Sequence, residues 1–193
     1  MSTTSDKQTV SFTQMDQGTK EDYELLGRRG DEMLAKLPDR LLEAVEALEH
    51  SIDGYQVTRK EHSLQSATRA LQDDRSEEYV VAALLHDIGD VLAPHTHGEM
   101  VDAVLRPYVA ADICWLVKHH GAFQMYYYAH LSGQGDRYAR ERYRDHPNYQ
   151  ACIEFCEKYD QNCFDPEFEA LPLSYFEPMV RRVFSEPRYL DRV

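Results

Sequence analysis

The sequence predicts an all-α fold that forms a single helical bundle. Apolar residues recur at helical spacing in most parts of the chain, and several of these runs begin beside a capping residue or end at glycine or proline. Alternating strand patterns and Asn-Gly hairpin turns are absent from the sequence. No internal repeat or long linker divides the 193 residues, which are enough for one domain with its own core.

Three helices are predicted in the first part of the chain. Asp39 is the expected N-cap of "LPDRLLEAVEALEH", in which leucine and valine recur on one face. Asp74 has Glu77 three residues later, which resembles a capping box at the start of "DDRSEEYVVAALLHDIG". Thr96 has the same relation to Glu99 in "THGEMVDAVLRPY", and the proline is expected to end this helix.

Three further helices are predicted in the second part. "AADICWLVKHHG" is apolar until its last turn and is expected to end at Gly121. "HPNYQACIEFCEKYD" is expected to begin near Pro147, because proline is favoured at the first helical position. The last helix is "LSYFEPMVRRVFSE". We expect residues 1–15 to form a flexible N-terminal arm and residues 16–193 to form the domain.

Composition and charge argue against several classes of function. The formal net charge is −13, so the surface repels phosphate backbones and no nucleic-acid partner is expected. The sequence has no apolar run of transmembrane length and does not begin with a secretory pattern, so no membrane association is expected. The four cysteines form no Cys-x-x-Cys pair and are expected to be buried thiols in a reducing cytoplasm.

Histidines and aspartates form an ordered series along these helices. The adjacent pair His86 and Asp87 ends an apolar run, so both side chains are expected to be partly buried, where a metal ion is a good partner for charge. Imidazole and carboxylate groups suit iron, zinc and manganese, and one carboxylate can bridge two ions. The other candidate ligands are His62, His97, His119, His120 and Asp160. The residues expected to have ordinary core or surface roles are His50, His130 and His146.

This order of residues resembles the HD-domain superfamily, whose all-helical members are named for the His-Asp pair. Most members are phosphohydrolases. A smaller branch consists of oxygenases with a mixed-valent pair of irons, including myo-inositol oxygenase and enzymes that cleave 1-hydroxyphosphonates. The segments "HHGAFQMYYYAH" and "CEKYDQ" are similar to ligand-bearing segments of the oxygenases, and the resemblance covers residues 53–165. It implies an HD-domain helical bundle.

The resemblance also implies two iron ions, in a mixed-valent Fe(II)/Fe(III) state, with O₂ as co-substrate. One ion would be held by His62, His86 and Asp160. The other ion would be held by His97 and His120, and the catalytic carboxylate of Asp87 would bridge the two ions. His119 is the alternative to His120, and His95 is the alternative to His97.

Departures from the family pattern bear on the substrate. Asp90 stands where myo-inositol oxygenase and many hydrolases have a lysine, and it could face a cation. Tyr55 stands where the oxygenase for aminoethyl substrates has a glutamate. A quaternary ammonium has no N–H donor and prefers aromatic faces, so Tyr55 could form a cage with Asp53 and the tyrosines Tyr126 to Tyr128.

In these respects the sequence closely resembles oxygenases that act on (R)-1-hydroxy-2-(trimethylammonio)ethylphosphonate. The resemblance implies a small-molecule substrate whose C–P bond is cleaved with O₂ to glycine betaine and phosphate. Candidate partners of the phosphonate oxygens are Lys118, Gln124 and Arg144, because an anion needs donors or positive charge. A metal-dependent HD phosphohydrolase acting on a phosphomonoester or nucleotide remains an alternative, as does a non-catalytic HD protein. The sequence does not fix the oligomeric state.

Overall fold

A computed structural model describes residues 9–192 of the chain. All regular elements within this range are helices, which confirms the all-α prediction. The α-helices are α1 (Lys20–Leu34), α2 (Leu37–Ala47), α3 (Arg59–Gln72), α4 (Glu77–Leu85), α5 (His97–Leu105), α6 (Ala111–Ser132), α7 (Tyr149–Tyr159) and α8 (Leu173–Val183). Short 3₁₀ turns lie between some of them. In the described part of the chain, each helix is too short or too polar to cross a bilayer.

The chain divides into two compact units, residues 1–37 and residues 38–193. In the first unit, Thr19 and Asp22 form a reciprocal capping box at the start of α1. The backbone N–H groups of Thr19 and Ser11 donate to the carboxylate of Asp22 and lower its pKa to about 2. Residues 1–8 of the predicted flexible arm lie outside the described residues, and the boundary at 15 and 16 stays a prediction.

The predicted helices are present, but several of their ends differ from the prediction. Helix α2 begins at Leu37, so Asp39 lies in its first turn and is not its N-cap. Helix α4 is capped by Ser76, whose hydroxyl accepts from the N–H of Tyr79. Asp74 lies in the preceding turn with a φ of 53°, a left-handed conformation that differs from the extended geometry of an N-cap. Helix α7 begins at Tyr149, two residues after the predicted proline.

The largest difference concerns α6, which continues through Gly121 to Ser132. Gly133 ends it instead, with a φ of 68° that glycine adopts without strain. An interior glycine costs a helix only about 1 kcal/mol relative to alanine, so packing of the surrounding turns can maintain the helix. Gly121 faces the ring of His97, where a Cβ atom would lie 3.9 Å from Cε1.

Helix α4 lies in the core of the second unit. Its residues from Tyr79 to Leu85 are all buried, as expected for a helix that is apolar all round. It packs against α3, α6 and α8, while α7 packs against both α3 and α6. The four cysteines are free and buried, as predicted. The His-Asp pair therefore directly follows the C-terminal end of α4 and lies inside the core.

Two glycines allow α5 to approach this pair closely. A Cβ atom on Gly89 would lie 2.9 Å from the Cα and Cβ atoms of His97. A Cβ atom on Gly98 would lie 2.6 Å from the carbonyl oxygen of Lys118 on α6. Real Cβ contacts are longer than this, so only glycine allows the first turn of α5 to lie between the His-Asp turn and α6.

Candidate metal centre

Six side chains converge in the core of the second unit. Each comes from a helix or from the residues that directly follow one, and five of the six are at most 1% exposed. They are His62 in the second turn of α3, His86 and Asp87 after α4, the half-buried His97 at the start of α5, His120 within α6, and Asp160 at the end of α7. These are the six residues that the resemblance implies as ligands.

The first group consists of His62, His86 and Asp160. The Nε2 atoms of His62 and His86 lie 3.1 Å apart. Oδ1 of Asp160 lies 3.6 Å from Nε2 of His62 and 4.0 Å from Nε2 of His86. One ligand atom from each of the three residues therefore lies within the range that a single metal ion could contact.

The second group consists of His97 and His120. Their Nε2 atoms also lie 3.1 Å apart. Gly121, which follows His120, lies beside the ring of His97.

Asp87 lies between the two groups and presents one oxygen to each. Its Oδ2 atom lies 3.2 Å from Nε2 of His62 and 3.1 Å from Nε2 of His86. Its Oδ1 atom lies 3.3 Å from Nε2 of His120 and 3.7 Å from Nε2 of His97. This is the arrangement in which one carboxylate can serve two metal ions.

Hydrogen bonds at the other ring nitrogen orient three of the four imidazoles. The Nδ1 atoms of His62, His86 and His120 lie 3.1, 2.7 and 2.6 Å from the carbonyl oxygens of Cys163, Ala83 and Val117. A carbonyl oxygen only accepts, so each Nδ1 carries the proton and leaves Nε2 free to bind a metal. For His97 the neighbour of Nδ1 is a carboxylate oxygen of Asp90, at 3.4 Å.

Electrostatics distinguish the two members of each histidine pair. Burial lowers the pKa of His62, and burial together with the charge of His120 lowers the pKa of His97. Burial opposes charge on His86 as well, but the nearby Asp87 carboxylate outweighs it and raises the pKa of His86 to about 9. The same carboxylate raises the pKa of His120. Without a metal, His86 and His120 are therefore the more basic members of their pairs.

Two buried oxygens provide a test of whether a metal fits. Among the described residues, Oδ1 of Asp87 and Oδ2 of Asp160 have no hydrogen-bond partner. Buried carboxylate oxygens normally have a partner, and a metal ion is one such partner. The charges around Asp87 hold its pKa well below the usual value despite its burial, so it is an anionic ligand. The donors are imidazole nitrogens and carboxylate oxygens, a set that suits iron, zinc and manganese.

The two alternative histidines lie outside the group of six. The ring of His119 packs against Trp115 and Tyr143, with centroid separations of 4.5 and 4.6 Å. His95 lies in the wall of a cavity next to His97. In the described part of the chain, neither residue belongs to a cluster that could hold a metal.

A cavity of about 420 Å³ lies beside the first group. Its walls are mostly aromatic, and Phe164 stacks on the ring of His62 at a centroid distance of 4.4 Å. Tyr55 in turn stacks on Phe164 at 4.8 Å. The residues that line this cavity are Tyr55, Arg59, Gln124, Tyr127, Tyr128, Gln161 and Phe164.

A second cavity, of about 370 Å³, lies beside the second group. Its walls include His97, Lys118 and Arg142, and it shares Gln124 and Tyr128 with the first cavity. The ammonium of Lys118 lies 3.4 Å from the carboxylate of Asp102, so this predicted phosphonate ligand already has an anionic partner.

The structure brings some predicted substrate residues to the cavities and not others. Tyr55 and Gln124 line the first cavity, and Lys118 lines the second. Tyr126 lies elsewhere, because it is two residues from Gln124 and from Tyr128 on a continuous helix and so faces away from them. Arg144 is exposed and donates to Glu141, away from both cavities.

Tyr126 and Asp90 have different partners from those predicted. The Tyr126 ring faces the guanidinium groups of Arg140 and Arg137, at 3.5 and 4.7 Å from its centroid. Asp90 does face a cation, but this cation is Arg59 of the chain itself.

Arg59 is the main residue of the site that the sequence pattern did not reveal. Its guanidinium donates to Asp87 and to Asp90 and forms part of the cavity wall. Burial opposes its charge, but the two carboxylates outweigh burial and hold its pKa above the usual value. Two signals were available in the sequence. Arg59 is three residues before His62 and so shares its helix face, and Asp90 lacked a cationic partner.

Comparison with known proteins identifies the family. The HD domain pattern matches residues 59–162, which is more than half of the chain and spans all six converging residues. The chain belongs to the HD domain family. HD domains bind metals, and the His and Asp clusters described above could hold them.

Part of the chain is similar to a curated protein whose name states an activity. The chain is 37% identical over 84 residues to the 1-hydroxy-2-(trimethylamino)ethylphosphonate dioxygenase (glycine-betaine-forming) of Leisingera caerulea. The aligned part covers 38% of this chain and 43% of that protein, so the chain spans less than half the length of this curated relative. The comparison supports a modest and partial similarity, in place of the close resemblance predicted from the sequence.

Proposed function

We propose that this protein is a diiron oxygenase that cleaves the C–P bond of (R)-1-hydroxy-2-(trimethylammonio)ethylphosphonate. The substrate and O₂ would give glycine betaine, phosphate and one proton. The bond between phosphorus and the hydroxyl-bearing carbon breaks. That carbon is oxidised to a carboxylate, and O₂ is reduced as its two atoms enter the products. The similarity to the L. caerulea dioxygenase supports this substrate class.

The observation that carries the proposal is the position of Asp87. Its two oxygens face different histidine groups, and each group contributes ligand atoms of its own. A two-ion centre with six protein ligands is what the resemblance implies for the oxygenase branch. Bound iron would supply the one-electron and O₂ chemistry that protein side chains cannot provide.

The chain's own residues would bind the substrate and orient it. The hydroxyl-bearing carbon must lie beside the centre, and the first cavity adjoins it through Phe164 and Gln124. The aromatic faces of Tyr55 and Tyr128 suit a trimethylammonium group, which is attracted to ring faces and has no N–H group to donate. The cavity walls would hold the reacting carbon in one position relative to the metal ligands.

Phosphate release by iron-loaded protein, with and without O₂, tests the proposal. We expect release from the (R)-hydroxyphosphonate only when O₂ is present. Equal release without O₂, or release only from phosphomonoesters, would place the protein among the HD hydrolases. No release from either class, together with a lack of bound metal in the purified protein, would favour the non-catalytic alternative.

A further inference from the structure

Arg59 is a buried cation in the wall of the aromatic cavity. It occupies the first turn of α3, which begins with a reciprocal capping box between Thr58 and Glu61. The residue is 8% exposed and lines the cavity. The cap and the burial together fix the position of the guanidinium group.

Only some of the N–H donors of the Arg59 guanidinium have hydrogen-bond partners in the protein. Nε and Nη2 donate to Oδ2 of Asp90 at 3.2 and 3.0 Å, and Nη2 also contacts Asp87. A guanidinium has five N–H donors, two of them on Nη1. Among the described residues, Nη1 has no hydrogen-bond partner, and it is not one of the buried unpaired atoms. Two N–H groups are therefore available to a ligand in the cavity.

The cavity thus has a charged interior and an aromatic mouth. The guanidinium carbon of Arg59 lies 5.9 Å from the ring centroid of Tyr55 and 5.7 Å from that of Phe164. Tyr55 and Tyr128 are 52% and 44% exposed, so they form the mouth. A quaternary ammonium beside Arg59 would be repelled, whereas an anion there would be attracted.

We propose that Arg59 binds the phosphonate group and so fixes the direction in which a zwitterionic substrate enters. The phosphonate lies deep in the cavity at Nη1 of Arg59, and the trimethylammonium group lies between the tyrosines at the mouth. This inference rests on the proposed function, because it concerns the same cavity. Phosphonate oxygens accept hydrogen bonds well from the planar guanidinium fork.

Asp90 is the positioning residue in this arrangement. If Asp87 serves the metals, Asp90 remains as the carboxylate that holds Arg59. Myo-inositol oxygenase and many hydrolases of the resembled superfamily have a lysine at the position of Asp90. Here the positive charge is on α3 instead, and the aspartate orients it toward the cavity.

Binding of two probes to the iron-loaded protein without O₂ tests the role of Arg59. The probes are 2-(trimethylammonio)ethylphosphonate, which has both charged ends, and choline, which has only the cation. We expect Arg59→Gln to raise the Kd for the phosphonate about tenfold to a hundredfold, as for loss of a charged hydrogen bond. The Kd for choline should stay the same or fall, because a positive charge has been removed. Arg181→Gln is the matched control, since its side chain pairs with Asp39 and Glu177 on the surface.

The two probes separate charge recognition from a general structural effect. Equal weakening of both probes, or an unchanged Kd for the phosphonate, would overturn the role of Arg59. If Arg59→Gln does not fold, Arg59→Lys decides, because it keeps the charge but loses the fork. It should raise the Kd for the phosphonate measurably, by less than tenfold, and leave the Kd for choline unchanged. Loss of binding of both probes, or no change in either Kd, would overturn the proposal.

The same experiment distinguishes failure of the inference from failure of the proposed function. If the wild type releases phosphate only with O₂ and Arg59→Gln leaves the Kd for the phosphonate unchanged, only the role of Arg59 is contradicted. A metal-loaded wild type that binds no phosphonate would remove both. If the wild type binds the phosphonate but not choline, the trimethylammonium site between the tyrosines is contradicted. The Kd of Arg59→Lys for the phosphonate still tests the role of Arg59.

Discussion

Gln124 donates a hydrogen bond of 2.7 Å from Nε2 to Oδ1 of Asp160. This bond fixes the carboxylate while Oδ2, the other oxygen, has no hydrogen-bond partner among the described residues. A polar partner that orients a ligand in this way strengthens metal binding. Gln124 also lines both cavities, so it links the candidate centre to the space where a substrate would bind.

We expect Gln124→Leu to weaken metal binding at the group of His62, His86 and Asp160. The change removes the donor that orients Asp160, and such losses lower metal affinity about tenfold to a hundredfold. Metal titration followed by elemental analysis measures this, with the exposed Gln134→Leu as control. Full metal occupancy with a raised KM would instead support the phosphonate-binding role predicted for Gln124 from the sequence.

Asp87→Ala should abolish metal binding at both groups and all turnover. Asp87 is the residue whose two oxygens face both groups, so its loss removes one ligand from each and leaves Arg59 without a buried partner. Iron content per chain and phosphate release measure the effect, and Asp39→Ala on the surface is the matched control. A variant that keeps its full iron content would show that Asp87 does not bridge.

Tyr55→Ala should raise the KM for the trimethylammonium substrate about twofold to fivefold, as for loss of a cation–π contact at a half-exposed ring. A smaller phosphonate without the trimethylammonium group should be affected much less, because it makes no contact with the ring face. Steady-state kinetics with both substrates measure the difference. Tyr138→Ala, which changes an exposed tyrosine outside both cavities, is the control. Equal KM changes for both substrates would show that Tyr55 does not bind the trimethylammonium group.

Metal binding should release protons at neutral pH. The pKa of His86 is raised to about 9, so its ring favours the protonated form at neutral pH in the metal-free protein, and the pKa of His120 shifts in the same direction. A metal binds only the deprotonated Nε2, so binding displaces the proton of His86 and weakens as the pH falls below about 9. Titration calorimetry in buffers of different ionisation enthalpy counts these protons. Binding that releases none at pH 7 would show that the rings are neutral beforehand.

The sequence predicts the fold class from local patterns and the six converging residues from a family resemblance. Helical spacing of apolar residues indicates the helices, and the burial of the segment before His86 follows from its composition. The set of six candidate ligands is implied by the resemblance of this order of residues to the HD-domain superfamily. The residues of the set lie on separate helices, and the structure brings their side chains together.

The parts that the sequence did not predict depend on contacts between distant segments. The pair between Arg59 and Asp90 joins residues 31 positions apart, and no local pattern indicates it. The position of Tyr126 depends on whether α6 continues through Gly121, and the predicted end at that glycine left the orientation of the tyrosines undefined. Helix α6 continues through Gly121 because Val117, His120 and Phe123 on either side of it are buried, and this tertiary packing outweighs local preference.

The origin of the oxygen in glycine betaine tests the central claim most directly. Iron-loaded protein would be incubated with (R)-1-hydroxy-2-(trimethylammonio)ethylphosphonate under ¹⁸O₂, and the products would be analysed by mass spectrometry. The account predicts that the carboxylate of glycine betaine gains a single labelled oxygen while phosphate is released. Phosphate release without any label from ¹⁸O₂ in glycine betaine would contradict oxidative cleavage.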